Sequence, residues 1–222
     1  KVFDENLKLL KTYPAGDVVS DIQIEGDTLY TADGKKGMRF YKVDGANLTE
    51  IGTPYVLTSV KQIEVSPNGK WAFVQNGTVT HIVNVSDPQS PTKHTSASDI
   101  IKNATSFFRP IMDGFAQNRY GVVLHSTGTR YIIDFGENCE SDTPVLKFKY
   151  SCGTAGIRGG LCALPNGDIF TSFATGKYYL QNSPTDSRID WATQRIWVKS
   201  INETALSGKP YVSKTGNTLV IA

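Results

Sequence analysis

The stretch DTLYTADGKKGMRFYKVDG, residues 27–45, contains two runs of alternating apolar residues on either side of a glycine-rich turn. Alternation with a period of two residues is typical of a β-strand with one buried face, and glycine between two such runs is typical of a hairpin. The stretch therefore predicts two adjacent antiparallel strands with their aromatic side chains in the core. The fold then depends on whether this hairpin is single or repeated.

Turn residues at regular spacing indicate that it is repeated. Gly26, Gly69, Asn118, Gly167 and Gly216 each stand between two short β-type runs, and the successive spacings are 43, 49, 49 and 49 residues. Glycine and asparagine tolerate the positive φ that tight hairpins require. A fixed period of about 40 to 50 residues is the sequence signature of propeller blades and related arrays.

Each repeat has room for four short strands. After the tight turn come an extended run, a second turn, a third run and a shorter fourth run. We therefore predict an all-β protein, a single-domain β-propeller with four-stranded antiparallel blades, of which four to five are visible. The units are expected at about residues 17–56, 57–98, 99–150, 151–208 and, in part, 209–222, and residues 1–14 are expected to supply a ring-closing outer strand. The ring is expected to be incomplete or part of a larger one.

Two segments carry a resemblance to known families. YTADGKKGMRFYKVDG (30–45) and THIVNVSDPQSPT (80–92) resemble the LVIVD repeat. SPNGKWAFV (66–74) and LPNGDIFTS (164–172) are similar to the turn-and-strand pattern of YncE-like and lactonase-like propellers. The first two units match the LVIVD pattern well, whereas the third and fourth match only in layout. The resemblance implies a propeller and says little about activity, because propellers host many unrelated functions.

Composition and sequons limit the functional class and the compartment. The chain has 222 residues, with 20% charged, 39% hydrophobic and a net charge of +2, which predicts a soluble globular domain without nucleic-acid partners. No apolar run is long enough to cross a membrane. Five Asn-X-Ser/Thr sites are candidate glycosylation sites and favour an extracellular, cell-surface or periplasmic location. They are Asn47, Asn76, Asn84, Asn103 and Asn202. The alternative is that these residue types simply crowd β-turns.

The three cysteines, Cys139, Cys152 and Cys162, match no zinc-binding pattern. Cys139 and Cys152 stand at the two ends of one strand-like run, so a local disulfide between them is one interpretation. Free buried thiols are the other.

A set of cations is the first candidate binding site. One basic residue is expected just before the first strand of successive units: Lys61, Arg109, Arg158 and Lys209. Because the first strands of a propeller line its central channel, these groups could form a cationic ring that attracts an anionic ligand. The alternative is that they are solvated or ion-paired loop charges.

A long insertion, residues 173–194, is the second candidate, because unusually long loops are often functional. Tyr178, Arg188, Asp190 and Trp191 supply the mixture of aromatic and charged side chains found at binding surfaces, and they could also stack on sugar rings. The alternative is that the aromatic residues pin the loop to its own blade.

Catalytic motifs are absent from the sequence, which contains no GxSxG elbow, phosphate-binding P-loop, haem CxxCH or calcium loop. His81, His94 and His125 occur singly, and we predict no catalytic residue, metal site or cofactor. The sequence therefore favours a non-catalytic binding or scaffold module for a protein or glycan partner, within a larger assembly. The alternative is a lactonase-like enzyme that acts on a small anionic substrate at the channel mouth. Cationic residues at the inferred positions argue against that alternative, since those enzymes hold a metal with carboxylates.

Overall fold

The structure is a computed structural model that describes residues 1–77, 79–95, 111–116, 118–124, 129–151, 161–163, 169–172, 178–181, 211–212 and 219–220. The chain divides into two compact units, Lys1–His94 and Thr95–Ala222. Both are built from antiparallel strands, so the predicted all-β class is confirmed. Within the part of the chain that the structure describes, no helix has the length and apolar character to cross a membrane.

The first unit contains a short N-terminal hairpin and two four-stranded sheets. The hairpin consists of β1 (Val2–Phe3) and β2 (Leu9–Lys11). The first sheet consists of β3 (Asp21–Glu25), β4 (Thr28–Ala32), β5 (Met38–Asp44) and β6 (Asn47–Tyr55). The second sheet consists of β7 (Val60–Val65), β8 (Trp71–Asn76), β9 (Val79–Asn84) and β10 (Thr92–Lys93). In both sheets the spatial order of the strands follows the chain.

The second unit repeats this layout. Its four-stranded sheet consists of β11 (Ile111–Ala116), β12 (Tyr120–Leu124), β13 (Thr129–Asp134) and β14 (Val145–Ser151), with a 3-10 turn at Glu137–Cys139. A three-stranded sheet follows, with β15 (Leu161–Ala163), β16 (Ile169–Ser172) and β17 (Tyr178–Gln181). The strands β18 (Tyr211–Val212) and β19 (Leu219–Val220) form a pair. The proposed unit boundaries and the ring-closing role of residues 1–14 stay predictions; in the structure β2 pairs with β1.

The hairpin of residues 27–45 forms as predicted, with β4 and β5 paired antiparallel. Its turn requires a glycine at position 37, where φ is +89° and a Cβ would lie 2.1 Å from the carbonyl oxygen of Tyr55. Tyr30 and Phe40 pack edge to face, with ring centroids 5.7 Å apart, and both are buried. Tyr30 and Phe40 are therefore core residues, as expected, whereas Tyr41 lies on the opposite face and is only half-buried, so the prediction was wrong for Tyr41.

The predicted turn residues also adopt the expected backbone. Gly26, Gly69 and Asn118 have φ of +59°, +69° and +49°, respectively, so each occupies the left-handed region. Asn118 is the most informative of the three, because a non-glycine residue adopts this conformation much less often. Gly167 and Gly216 lie outside the described residues.

Apolar side chains from facing strands form the core between the first and second sheets. The first sheet contributes Tyr30, Ala32, Met38 and Phe40, and the second contributes Val60, Ile63, Val65, Ala72, Val74, Val83 and Val85. Because side chains alternate along a strand, each of these sets occupies one face of its sheet. The face of the first sheet that packs on the second sheet is called the inner face below, and the opposite one the outer face.

Polar side chains of β3 join the two sheets at their first strands. The Ile63 amide donates to Asp21 Oδ2 at 3.0 Å, and the Val65 amide donates to Gln23 Oε1 at 2.7 Å. Gln23 Nε2 in turn donates to the Val65 carbonyl at 3.1 Å. β7 is the edge strand of the second sheet, and these side chains form hydrogen bonds with backbone groups at that edge. They therefore hold neighbouring sheets together without merging them into one.

Candidate functional site

The outer face of the first sheet carries an apolar surface. In β3 and β4 the paired residues Ile22–Thr31 and Ile24–Leu29 point to this face, opposite to Tyr30 and Ala32. Tyr41 and Val43 extend the same face onto β5. The alternation that buries one set of side chains against the second sheet thus leaves a second apolar set on the other side.

A groove lies over this surface, and we call it the outer groove. It has a volume of about 610 Å³ and is walled by the N-terminal segment, from which Tyr13, Pro14, Ala15 and Val19 contribute. A volume of this order is typical of binding clefts. Thr31 lies at its floor, and the Thr31 hydroxyl is buried and has no hydrogen-bond partner among the described residues.

Tyr13 anchors the wall of the groove. Its hydroxyl donates to the Ala46 carbonyl at 2.9 Å and accepts from the Leu48 amide at 2.8 Å. The ammonium of Lys11 lies 5.0 Å from the centre of the Tyr13 ring and donates to Asn47 Oδ1 at 3.1 Å. The N-terminal segment is therefore bound to the turn between β5 and β6 and to the start of β6.

Asp33 holds the other end of the segment that forms the wall of the groove. Its carboxylate is 1% exposed and accepts from the Gly16 amide at 3.0 Å, the Asp17 amide at 2.7 Å and Arg39 Nη1 at 2.7 Å. Arg39 also binds both oxygens of Glu50, at 2.8 and 2.6 Å. This network connects the wall, the β4–β5 turn and β6, so the shape of the groove depends on one buried carboxylate.

The charges beside the groove are held in their ionised forms. The hydrogen bond from Arg39 lowers the pKa of Glu50, and the hydrogen bonds to Glu50 and then Asp33 raise the pKa of Arg39 against the opposing effect of burial. Hydrogen bonds from the Lys35 and Val18 amides lower the pKa of Asp17. The groove is thus apolar inside and bordered by fixed charges of both signs.

Exposed apolar side chains concentrate in the first 24 residues of the chain. Where the structure describes side chains, ten large hydrophobic residues are exposed, and eight of them lie in residues 1–24. These eight are Phe3, Leu7, Leu9, Leu10, Val18, Val19, Ile22 and Ile24. Contiguous exposed apolar surface on a soluble protein marks an interaction site. Val19, Ile22 and Ile24 of this set line the outer groove, which is therefore the candidate docking surface.

The predicted cationic ring stays a prediction, because only Lys61 of its four residues is described. Lys61 lies inside β7 and not ahead of it: Val60 pairs with Asn76 and Gln62 with Gln75, which makes Lys61 the extra residue of a β-bulge. The sequence placed the start of this strand after Lys61, whereas β7 begins at Val60, because a bulge interrupts the alternation that marks where the strand begins. Arg109, Arg158 and Lys209 lie outside the described residues.

The predicted binding loop contains a strand. Tyr178 is the first residue of β17 and pairs with Ser172, so residues 178–181 form a strand antiparallel to β16. The interpretation of residues 173–194 as one continuous loop was wrong at this point, because a four-residue strand gives too short an alternation to recognise. Arg188, Asp190 and Trp191 lie outside the described residues.

Three of the five sequons are described. Asn47 is exposed at the start of β6, and Asn76 ends β8, where its Oδ1 accepts from the Ser59 amide at 2.9 Å. Asn84 ends β9, and its Oδ1 accepts from the hydroxyl of Ser86, the third residue of the same sequon, at 2.7 Å. Asn103 and Asn202 lie outside the described residues. Glycosylation at these sites stays a prediction.

Cys139 has a free thiol that is fully buried beside the 3-10 turn. Burial raises the pKa of this thiol to about 12, with a smaller contribution from nearby carboxylates. Of the two interpretations of Cys139, the structure contains the free thiol. Cys152 lies outside the described residues. The described residues also contain no group of three or more His, Cys, Asp or Glu side chains that could hold a metal ion.

The sequence did not predict the outer groove. It predicted that the aromatic side chains of residues 27–45 lie in the core, and it assigned no role to Ile22 and Ile24. The available signal was the alternation in DIQIE, residues 21–25, which places two isoleucines on the face opposite to Gln23. That signal predicts an apolar face but not whether another sheet covers it.

Comparison with known proteins supports the fold and nothing finer. No protein-family model matches the chain, and no curated protein does. Among solved structures, the chain is similar to a functionally unknown protein from Desulfotomaculum acetoxidans DSM 771, with a TM-score of 0.70 and 10% sequence identity. The alignment covers 99% of this chain and 67% of that one. At this identity the likeness shows a shared fold alone.

Proposed function

We propose that this protein is a non-catalytic scaffold module of the β-propeller type, which assembles by stacking sheets through the outer groove. The three successive four-stranded antiparallel sheets, each with its strands in chain order, support the propeller assignment. An extracellular or cell-surface location, for which the sequons argue, belongs to the same proposal.

One comparison within the first unit carries the proposal. Each sheet has two faces, and the outer face of the first sheet corresponds to one face of the second sheet. That corresponding face is the one that packs on the first sheet. On β7 that face presents Ile63 and Val65, each 2% exposed, whereas on β3 it presents Ile22 and Ile24, which are 61% and 56% exposed. The same surface is thus covered in one repeat and open in the other. A further sheet would complete the stack.

We assign that further sheet to a second copy of this chain, packed face to face across a two-fold axis. Such an interface is self-complementary, because the same patch meets itself. The charges beside the groove have both signs, as in Asp17, Lys35 and Glu50, and the net charge of the chain is only +2, so two copies repel each other weakly. Full burial of one large aliphatic side chain contributes about 1.5 to 3 kcal/mol, and four isoleucines would be buried per dimer.

The experiment is sedimentation velocity over a range of protein concentrations. We expect the wild-type protein to self-associate reversibly and the double variant Ile22→Lys/Ile24→Lys to be monomeric, because four charges would then face an apolar surface. The matched control is Val56→Lys/Val145→Lys, which places the same charges at exposed valines away from the groove and should associate like the wild type.

Circular dichroism of both double variants should match that of the wild type, because all four positions are exposed. A wild-type protein that stays monomeric up to its solubility limit would overturn the proposal. So would a control that loses association to the same extent as the groove variant, since the interface would then lie elsewhere.

A further inference from the structure

A second, polar cleft lies between the first and second sheets, on a different surface from the outer groove. It has a volume of about 380 Å³ and is formed by the β3–β4 turn, the β7–β8 turn and the segment that follows β9. Glu25 and Thr28 line it from the first turn, Pro67 and Gly69 from the second, and Pro88 from the third segment. Its lining mixes oxygen atoms with small apolar surfaces.

Tyr30 lies at the base of this cleft. The residue is only 4% exposed, and its ring packs edge to face on Phe40. The hydroxyl points towards the β7–β8 turn, 3.4 Å from where a Cβ on Gly69 would lie. It has no hydrogen-bond partner among the described residues. Among the described residues the buried hydroxyls without a partner are those of Thr31 and Thr80, so the hydroxyl of Tyr30 is accessible from the cleft, and a ligand atom there would supply a hydrogen bond that the protein does not.

Neighbouring groups also have unused hydrogen-bonding capacity. Glu25 Oε1 accepts from Gln23 Nε2 at 2.8 Å, which leaves the second oxygen of this carboxylate with no partner in the described ranges. The hydroxyl of Thr28 likewise has no hydrogen-bond partner among the described residues. Asp27, by contrast, is already paired with Lys42, so Glu25 is the remaining uncompensated acid of the cleft. Burial, and then the charge of Glu25, raise the pKa of Tyr30, which therefore stays a neutral phenol.

We propose that this cleft binds a neutral sugar ring. A pyranose offers hydroxyl groups that can donate to Glu25 and exchange hydrogen bonds with Tyr30 and Thr28, while its C–H faces can pack on Pro67 and Pro88. A carboxylate-bearing sugar is disfavoured, because Glu25 would face a like charge at short range. The site is independent of the outer groove and of the proposed assembly.

The test uses methyl β-D-glucopyranoside as the probe, titrated into the full chain and followed by amide chemical shifts. We expect saturable shifts at Gly26 and Gly69, which lie on opposite sides of the cleft. Tyr30→Phe removes only the hydroxyl and should weaken binding by about threefold to tenfold, the value of one hydrogen bond. Its stability should not fall, because the lost hydroxyl has no protein partner.

The matched control is Tyr120→Phe, which removes a hydroxyl from another tyrosine that is 4% exposed and lies outside the cleft. This control should bind the glucoside like the wild type. Methyl β-D-glucuronide, which adds a carboxylate to the same ring, should bind more weakly than the glucoside, and Glu25→Gln should reduce that difference.

Three results would overturn the proposal: no saturable shifts with the glucoside, equal affinity of Tyr30→Phe and the wild type, or tighter binding of methylguanidinium than of the glucoside. The last result would identify a cation site. The Ile22→Lys/Ile24→Lys variant should retain sugar binding, so failure of the assembly proposal and failure of this one can be distinguished.

Discussion

Replacement of Asp33 by alanine should destabilise the first unit more than any other single change at the rim of the outer groove. The buried carboxylate of Asp33 accepts from two backbone amides, Gly16 and Asp17, and from the guanidinium of Arg39. Alanine leaves all three donors without this acceptor. The two amides belong to the segment that walls the groove, so stability and groove shape should be lost together.

The expected magnitude follows from burial. Removal of one partner from a buried ion pair costs about 3 to 5 kcal/mol. Arg39 keeps its bonds to Glu50, so we expect the lower end, about 3 kcal/mol. The control is Glu50→Ala, which breaks the other half of the network at a carboxylate whose side chain is 42% exposed. An exposed pair of this kind contributes about 0.2 to 1 kcal/mol. Asp33→Asn keeps one acceptor oxygen and should fall between the two, at about 1 to 3 kcal/mol.

The assay is urea unfolding followed by circular dichroism, supported by amide hydrogen exchange. With an m-value of about 1 to 3 kcal/mol/M, Asp33→Ala should lower the midpoint by about 1 to 3 M and Glu50→Ala by much less. Exchange at the Gly16 and Asp17 amides should accelerate in Asp33→Ala and stay slow in Glu50→Ala. Equal destabilisation by the two alanine variants would refute the reasoning, because it would mean that burial of Asp33 adds nothing.

Two further predictions concern the second unit. Because burial raises the pKa of Cys139 to about 12, the native state keeps its proton above the pH at which the unfolded thiol ionises. The free energy of unfolding should therefore fall as the pH rises beyond about 8.5, and Cys139→Ala, compared with the wild type in urea titrations at each pH, should remove that part of the slope. Burial acts to raise the pKa of Asp134, but hydrogen bonds from Arg119 and the Gly136 amide outweigh it and lower the pKa. The stability that the Asp134–Arg119 pair contributes should be complete above the pKa of an unfolded Asp, about 3.9, and should disappear as the pH falls through the native pKa of Asp134. In a plot of the free energy of unfolding against pH, Arg119→Ala should therefore reduce the slope on the acid side.

The fold class was predictable because its signals are local. Alternation in residues 27–45 identified β4 and β5, and the left-handed turn residues at Gly26, Gly69 and Asn118 marked where strands reverse. Strands that are short or interrupted were not predictable in the same way. Tyr178 begins a strand of four residues, and Lys61 occupies a bulge, so neither leaves a clear period in the sequence.

The candidate site could not be predicted, because it depends on what covers a surface. The sequence of β3 determines that Ile22 and Ile24 lie on the same face, just as the sequence of β7 determines this for Ile63 and Val65. Nothing in either pattern distinguishes a face that a neighbouring sheet buries from one that stays open. That difference arises from the stacking of whole sheets, through contacts between residues far apart in the chain. The sequence therefore determines the strands of this protein, whereas the apolar groove depends on which face of each sheet a neighbouring sheet covers.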